Sequence, residues 1–372
     1  MKNIQPNLLE EYQLGDLKLK NRVVMASLTR GRATNPDLVP TSMMAEYYAQ
    51  RASAGLILSE GTWVNSQSIG FINVPGIYTE KQIEGWKIIT KAVHDKGGLI
   101  FLQLGHIGAG AHPDLQNGEL PIAPSAINIQ SQSFTPEGFK YTVTPREMTV
   151  TDIQKTIQDY RQAAQNGKNA GFDGIEIHAI AGMLIPQFLS IATNKRTDEY
   201  GGNIENRARI IFEILDAVKE VWDSTRIAIK FSPVMLSNVG IVQPDEETIS
   251  IFQYILNKLN GYDLAYVHIV GPSEDLIGTP VEQLQESYFK HFRHHYSGRL
   301  MANLGFSKQT ADTILKEGNA DLVSFGEPFI ANPDLVERFK HNLPLSESDR
   351  NTFYSGDENG YISYPKTVYL KS

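Results

Sequence analysis

Eight short runs of nearly unbroken apolar residues recur along this chain, at Val23 to Leu28, Leu56 to Ser59, Leu99 to Leu104, Gly174 to Ile177, Ile227 to Phe231, Ala265 to Val270, Leu300 to Ala302 and Leu322 to Phe325. Runs of this length without alternation predict strands buried on both faces, as parallel strands are. Between them lie longer stretches with apolar residues at three- and four-residue spacing. Thr41 to Ala54, Lys81 to Lys96, Thr151 to Ala170, Ile204 to Trp222 and Glu246 to Leu259 are examples, and each predicts a helix with one apolar face. Eight strands, each followed by a helix, predict an α/β chain closed into a (β/α)8, or TIM, barrel rather than an open doubly wound sheet. Barrels of this kind reach such lengths as one domain, and no linker divides the sequence, so residues 1–372 are read as a single domain.

Three stretches fall outside the alternation. YQLGDLKLKNR alternates around Gly15 and Asp16 and predicts a small hairpin. The proline-bearing stretch from Gly108 to Arg146 is too long for a plain connection after the third strand, and it is expected to form part of the substrate wall. The aromatic, turn-rich tail TFYSGDENGYISYP is expected to fold back over the barrel mouth.

Composition narrows the function classes. With 41% hydrophobic and 20% charged residues the chain has the balance of a globular protein with a large core. A formal charge of -8 argues against nucleic acid and anionic membrane as partners. The absence of cysteine excludes disulfides, thiolate catalysis and cysteine-ligated metals. No run approaches the ~18 apolar residues needed to cross a bilayer, and the first residues lack a signal-peptide core, so a cytoplasmic location is expected. No GxGxxG opens a helix after a strand, so no dinucleotide-binding domain is expected. His294 and His295 lack ligand spacing with carboxylates, so no metal is expected. A small-molecule substrate remains as the partner, and the oligomeric state stays open.

Barrel enzymes carry their chemistry at the carboxyl ends of the strands. There this chain places Thr29 in MASLTR, Gly61 in SEGT, Gln103 in FLQLGH, His178 in GIEIH and Lys230 in IAIKFSP. A glutamine inside an apolar strand needs a partner, because a buried unpaired amide costs roughly 1–3 kcal/mol. A lysine in so apolar a strand is seldom a solvated surface residue.

The stretch from Phe172 to Arg209, FDGIEIHAIAGMLIPQFLSIATNKRTDEYGGNIENRAR, carries Asn194, Arg196, Thr197, Asp198, Glu199, Tyr200, Gly201, Gly202, Glu205, Asn206 and Arg207 in one long pattern. With MASLTR, FLQLGH, MANLGF and SFGEPF it resembles the old yellow enzyme family of flavin mononucleotide (FMN) oxidoreductases, from Leu14 to Pro365. The resemblance implies FMN as cofactor and NAD(P)H as reductant, with hydride passing to activated alkenes such as enones or nitroalkenes. It also implies that the hairpin plugs the bottom of the barrel.

By the same resemblance Ser27, Leu28 and Thr29 border the flavin ring, Gly61 lets it approach the backbone, and Gln103 bonds its pyrimidine edge. Lys230 stands for the family's arginine beside the reduced flavin, and Asn303, Gly305, Gly326 and Glu327 form the phosphate end. His178 is the hydrogen-bond donor to the substrate. Ala181 stands where the family has a second polar donor, Met183 where it has a proton-donating tyrosine, and Glu327 where it has a phosphate-clamping arginine. Gly105, where the family has tryptophan, implies added space. Tyr354 is a replacement proton donor, and Lys308 a replacement cation for the phosphate. Departures clustered at these positions imply an altered redox or isomerase reaction on a related substrate. The alternative is a barrel with weak or no flavin turnover that serves as a binding or scaffold protein.

Overall fold

A computed structural model describes residues 6–180, 182–234, 244–354 and 356–366. The eight strands are β1 (Val23–Met25), β2 (Leu56–Leu58), β3 (Ile100–Gly105), β4 (Gly174–Ala179), β5 (Ile227–Phe231), β6 (Tyr266–Val270), β7 (Leu300–Asn303) and β8 (Leu322–Phe325). Each pairs in parallel with the next, and β8 pairs with β1, so the sheet closes on itself. The helices are α1 (Ser42–Gln50), α2 (Glu80–Asp95), α3 (Val150–Asn169), α4 (Leu184–Leu189), α5 (Ile204–Lys219), α6 (Thr248–Leu259), α7 (Tyr288–His295), α8 (Lys308–Lys316), α9 (Glu327–Ala331) and α10 (Leu335–His341).

Local chemistry fixes where the helices start. Thr41, Thr79, Thr149, Asn203 and Ser307 each accept a bond from a backbone amide of the first turn, a cap typically worth about 1 kcal/mol. α1 is shorter than its periodicity predicts. Arg51, just past its end, donates instead to the carbonyls of Tyr47, Phe329 and Ile330 and ties the helix to α9. The first strand also ends early, at Met25, although the Ala26 amide still donates to the Phe325 carbonyl of β8 at 3.0 Å.

The two-residue period of the strands sorts the core into two layers. Ile57, Leu102, Ile175, Ile177, Ile227, Ile229, Val267 and Val323 face outward onto the helices. Val24, Leu56, Leu58, Phe101, Ala228, Tyr266, Met301 and Leu322 face inward, where Leu14, Leu17 and Leu19 pack against them. Those leucines belong to the predicted hairpin, in which Tyr12 pairs antiparallel with Leu19. The bottom of the barrel is thereby sealed with apolar side chains, and polar inward positions are left for the opposite end.

The loop after β3 folds as a second hairpin, Gln132–Thr135 with Gly138–Tyr141, and meets Phe71 through a bridge at Phe134. The tail is held by two buried arginines of the β1 loop. Arg30 donates to the carbonyls of Thr352, Phe353 and Gly360, and Arg32 to those of Thr352 and Phe353. Tyr361 stacks on Tyr47 with ring centroids 4.1 Å apart. The tail thus lies against the β1 loop and α1.

Candidate active site

At the carboxyl ends of the strands, the inward positions above the apolar floor are polar. Gln103 from β3 and Glu176 from β4 are completely buried, as is His268 from β6, while Lys230 from β5 is 5% exposed. Strand register sets Lys230 beside His178 on one side and His268 on the other. Ser27 Oγ donates to Gln103 Oε1 at 2.6 Å, and Gln103 Nε2 reaches Glu176 Oε1 at 2.6 Å. Glu176 Oε2 lies 2.9 Å from His268 Nδ1, and His268 Nε2 lies 2.8 Å from Ser324 Oγ of β8. Asn303 of β7 donates to the same Ser324 hydroxyl at 2.8 Å. A continuous polar chain thus crosses the barrel from β1 to β7.

Burial and mutual charge decide the ionisation of these groups. Burial alone pushes the Glu176 carboxyl up, but His268, Lys230 and the Gln103 amide outweigh it and hold it down to about 2. Burial lowers the Lys230 ammonium from its ordinary value, and the Glu176 charge opposes that shift. Burial, and then the Lys230 charge, push His178 down to about 3, so its imidazole is neutral across the physiological range. Its Nδ1 is buried without a hydrogen-bond partner.

Glycines keep the mouth open beside these groups. A Cβ on Gly61 would stand 3.4 Å from Gln103 Oε1 and 3.9 Å from His178 Cδ2, and one on Gly326 would stand 3.3 Å from Leu28 Cδ2. Ser27, Leu28, Thr29, Gly61, Gln103, His178, Lys230, Asn303 and Gly326 are thus carried by the same ends of neighbouring strands. Gly305 at φ +74° and Gly326 line a cavity of about 550 Å³ with Pro272, Asn303 and Phe306 at the β7 and β8 ends. Glu327 also borders this cavity, but its side chain is exposed and its Oε1 accepts from Ser348 Oγ at 3.0 Å.

Three sequence expectations look different here. Gly105 leaves no added space, because Met183 Cε would lie 2.7 Å from a Cβ at that position, so the thioether fills the gap. Met183 itself is 5% exposed and packs with Trp63, Ile69, Val74 and Ile107. Lys308 turns from the cavity and donates to Asn342 Oδ1 at 2.6 Å. The ring of Tyr354 is 62% exposed, because Arg30 and Arg32 fix the neighbouring carbonyls and the Tyr354 carbonyl abuts Gly31. Ala181 lies outside the described residues.

Glu176, His268 and Ser324 were not singled out by the sequence reading. The signal was present: GIEIH sets Glu176, and YVHIV sets His268, between apolar strand residues, as FLQLG does with the polar Gln103. The long NKRTDEYGGNIENR pattern, by contrast, braces the loops. Asn194 donates to the carbonyls of Phe188 and Tyr200, Arg196 to those of Pro124 and Met148, and Arg207 to that of Leu189. Its residues hold α4 and the long β3 loop against the barrel.

Known proteins resemble this chain over nearly its full length. The 12-oxophytodienoate reductase 7 of Oryza sativa subsp. japonica is 38% identical over 379 residues, covering 97% of this chain and 95% of the relative. A probable flavin mononucleotide-dependent alkene reductase of Leishmania infantum is 38% identical over 365 residues, covering 96% and 97%. The solved structure of morphinone reductase superposes with a TM-score of 0.92 at 41% identity, covering 99% of this chain and 98% of that one. The sequence profile of one family matches residues 7–346. The chain belongs to the NADH:flavin oxidoreductase / NADH oxidase family.

Proposed function

We propose that this protein is an FMN-dependent oxidoreductase that uses NAD(P)H to reduce activated alkenes such as enones or nitroalkenes. The observation that carries this reading is the convergence of Gln103, Lys230 and a neutral His178 with an unpartnered buried Nδ1 on one glycine-lined barrel mouth. The names of the relatives, 12-oxophytodienoate reductase, alkene reductase and morphinone reductase, point to the same reaction class.

The residues present fit a flavin. Gly61 and Gly326 leave room for a flat ring close to the backbone. Ser27, Leu28 and Thr29 border that space, and Gln103 offers a buried amide to a polar ring edge. Lys230 supplies positive charge beside it, without the planar fork of an arginine. Asn303, Gly305 and Gly326 would take the phosphate end through polar side-chain and backbone groups, with Glu327 turned outward to Ser348. Bound there, FMN supplies a hydride acceptor and donor.

His178 does the work toward the substrate. A neutral imidazole has one N–H to give, and a preorganised donor aimed at an oxygen that gains charge typically contributes ~10²–10³ in rate. Met183 carries no transferable proton, so solvent water is the proton source for the substrate carbon in this reading. The substrate is a small molecule rather than nucleic acid. No helix among the described residues is long and apolar enough to cross a membrane.

The test is an absorbance spectrum of protein mixed with excess FMN and desalted, followed by anaerobic addition of NADH or NADPH and then of an enone. The expected result is a flavin band that bleaches with one of the nucleotides and returns with the enone. A protein that stays colourless contradicts the reading and favours the binding or scaffold alternative.

A further inference from the structure

The polar chain beneath the mouth has a direction. Glu176, ionised and acceptor-only, is contacted at both oxygens, by Gln103 Nε2 at 2.6 Å and by His268 Nδ1 at 2.9 Å. The His268 ring must therefore carry its proton on Nδ1, which leaves Nε2 as an acceptor. Ser324 Oγ, 2.8 Å away, gives its proton to that nitrogen rather than to the Ala302 carbonyl at 3.5 Å. Asn303 then donates to Ser324. On the other side, the Gln103 amide is oriented with its NH₂ toward Glu176 and its Oε1 toward Ser27. A flipped amide would set carbonyl oxygen against carboxylate at hydrogen-bonding distance, which the charge forbids. Every donor in the chain thus points, directly or through a neighbour, at one carboxylate.

Glu176 has a second relation, to charge. It is the anion whose field reaches the buried Lys230, and after burial itself it helps to raise the pKa of the buried Tyr266 hydroxyl, which stays protonated. Strand pairing sets Glu176 opposite Gln103 and Ala228, two residues before Lys230 on β5.

We propose that Glu176 is a positioning residue for the flavin: it fixes the Gln103 amide with the oxygen presented to the mouth, and it balances the Lys230 charge next to the ring. This rests on the flavin reading above. The Gln103 oxygen is an acceptor suited to the N–H of a flavin pyrimidine edge, and a flipped amide would offer donor against donor. Removing the Glu176 charge leaves Lys230 unbalanced, which favours the anionic reduced ring over the oxidised one.

Two variants separate the two roles. Glu176→Gln removes the charge and permits the amide flip, so FMN affinity is expected to fall about tenfold. The ratio of reduced to oxidised flavin binding is expected to rise about tenfold, a midpoint potential about 30 mV more positive for a two-electron couple. Glu176→Asp keeps the charge but withdraws it by one methylene, so affinity falls while the potential stays. Each is measured on folded holoprotein by fluorescence titration with FMN and by a redox titration against a dye of known potential. A folded Glu176→Gln protein with unchanged affinity and potential overturns the proposal and leaves the flavin reading standing.

Nitrogen-15 spectra of the histidines in the unmodified, flavin-free protein need neither variant nor cofactor. They are expected to show His268 as the Nδ1–H tautomer, and an Nε2–H tautomer or an imidazolium overturns the proposal. A protein that takes up no flavin overturns the functional reading itself, an outcome distinct from either of these.

Discussion

On the β3 to β5 side of the barrel mouth, Gln103, Glu176 and Lys230 are almost wholly enclosed, and Gln103 and Glu176 belong to a chain of hydrogen bonds that runs on through His268 and Ser324. On the β7 and β8 side, Gly305 and Gly326 face an open cavity whose one charged lining residue among those described, Glu327, is turned to Ser348 and solvent. The two sides would meet opposite ends of the same cofactor. One offers preorganised donors, acceptors and a counter-charge in a low-dielectric interior, where each counts for more than in water. The other offers backbone and neutral polar groups. The contrast places the energy of cofactor recognition at the ring and leaves the phosphate as a minor contributor.

The largest expected effect lies on the enclosed side. His178→Ala should lower the rate of alkene reduction by about 10²–10³ while flavin stays bound, read by stopped flow as slow reoxidation of reduced enzyme by an enone. Loss of the flavin band instead would make His178 part of the cofactor cradle. Met183→Tyr restores a proton donor where the thioether now fills the space beside Gly105. Positioned general acids typically contribute 10²–10⁴, so a gain of about 10² in the same reoxidation step is expected. An unchanged rate would place protonation elsewhere.

On the open side, Glu327→Arg is expected to tighten FMN by roughly 10- to 100-fold, the worth of one charge-assisted hydrogen bond of about 1.5–3 kcal/mol, and to leave riboflavin unchanged. Calorimetric titration with each flavin reads this directly. Equal tightening of both would show that the substitution acts on the ring end.

The smallest effect concerns Glu60, which accepts from the Arg30 and Gly31 amides under the tail and whose carboxyl burial pushes up to about 7 from an ordinary 4.5. The folded state then keeps a proton that the unfolded chain has lost between those values. Stability should therefore be full below about 4.5 and decline as pH rises through about 7. Glu60→Gln should flatten this part of the Tm profile. A profile unchanged by the substitution would assign the slope to other groups.

Much of the scaffold was legible because a parallel barrel strand must be apolar on both faces. IAIKF and LVSF were placed to the residue for that reason. The strand of MASLTR was overextended, because Ala26 and Leu28 are as apolar as strand residues although the strand stops at Met25. At the site, the rule that a buried amide needs a partner led to Gln103. The same rule applied to GIEIH and YVHIV would have found Glu176 and His268. What sequence could not convey was direction: Lys308 reaching Asn342, Glu327 reaching Ser348, and Met183 filling the place beside Gly105 depend on side-chain paths that spacing does not encode.

The central claim is tested most directly by comparing the affinity of the unmodified protein for FMN and for riboflavin, which share the ring and differ in the phosphate. The account predicts that both bind and that FMN is preferred by no more than about tenfold, or about 1.4 kcal/mol. A preference beyond about 100-fold, or no binding of either flavin, would contradict it.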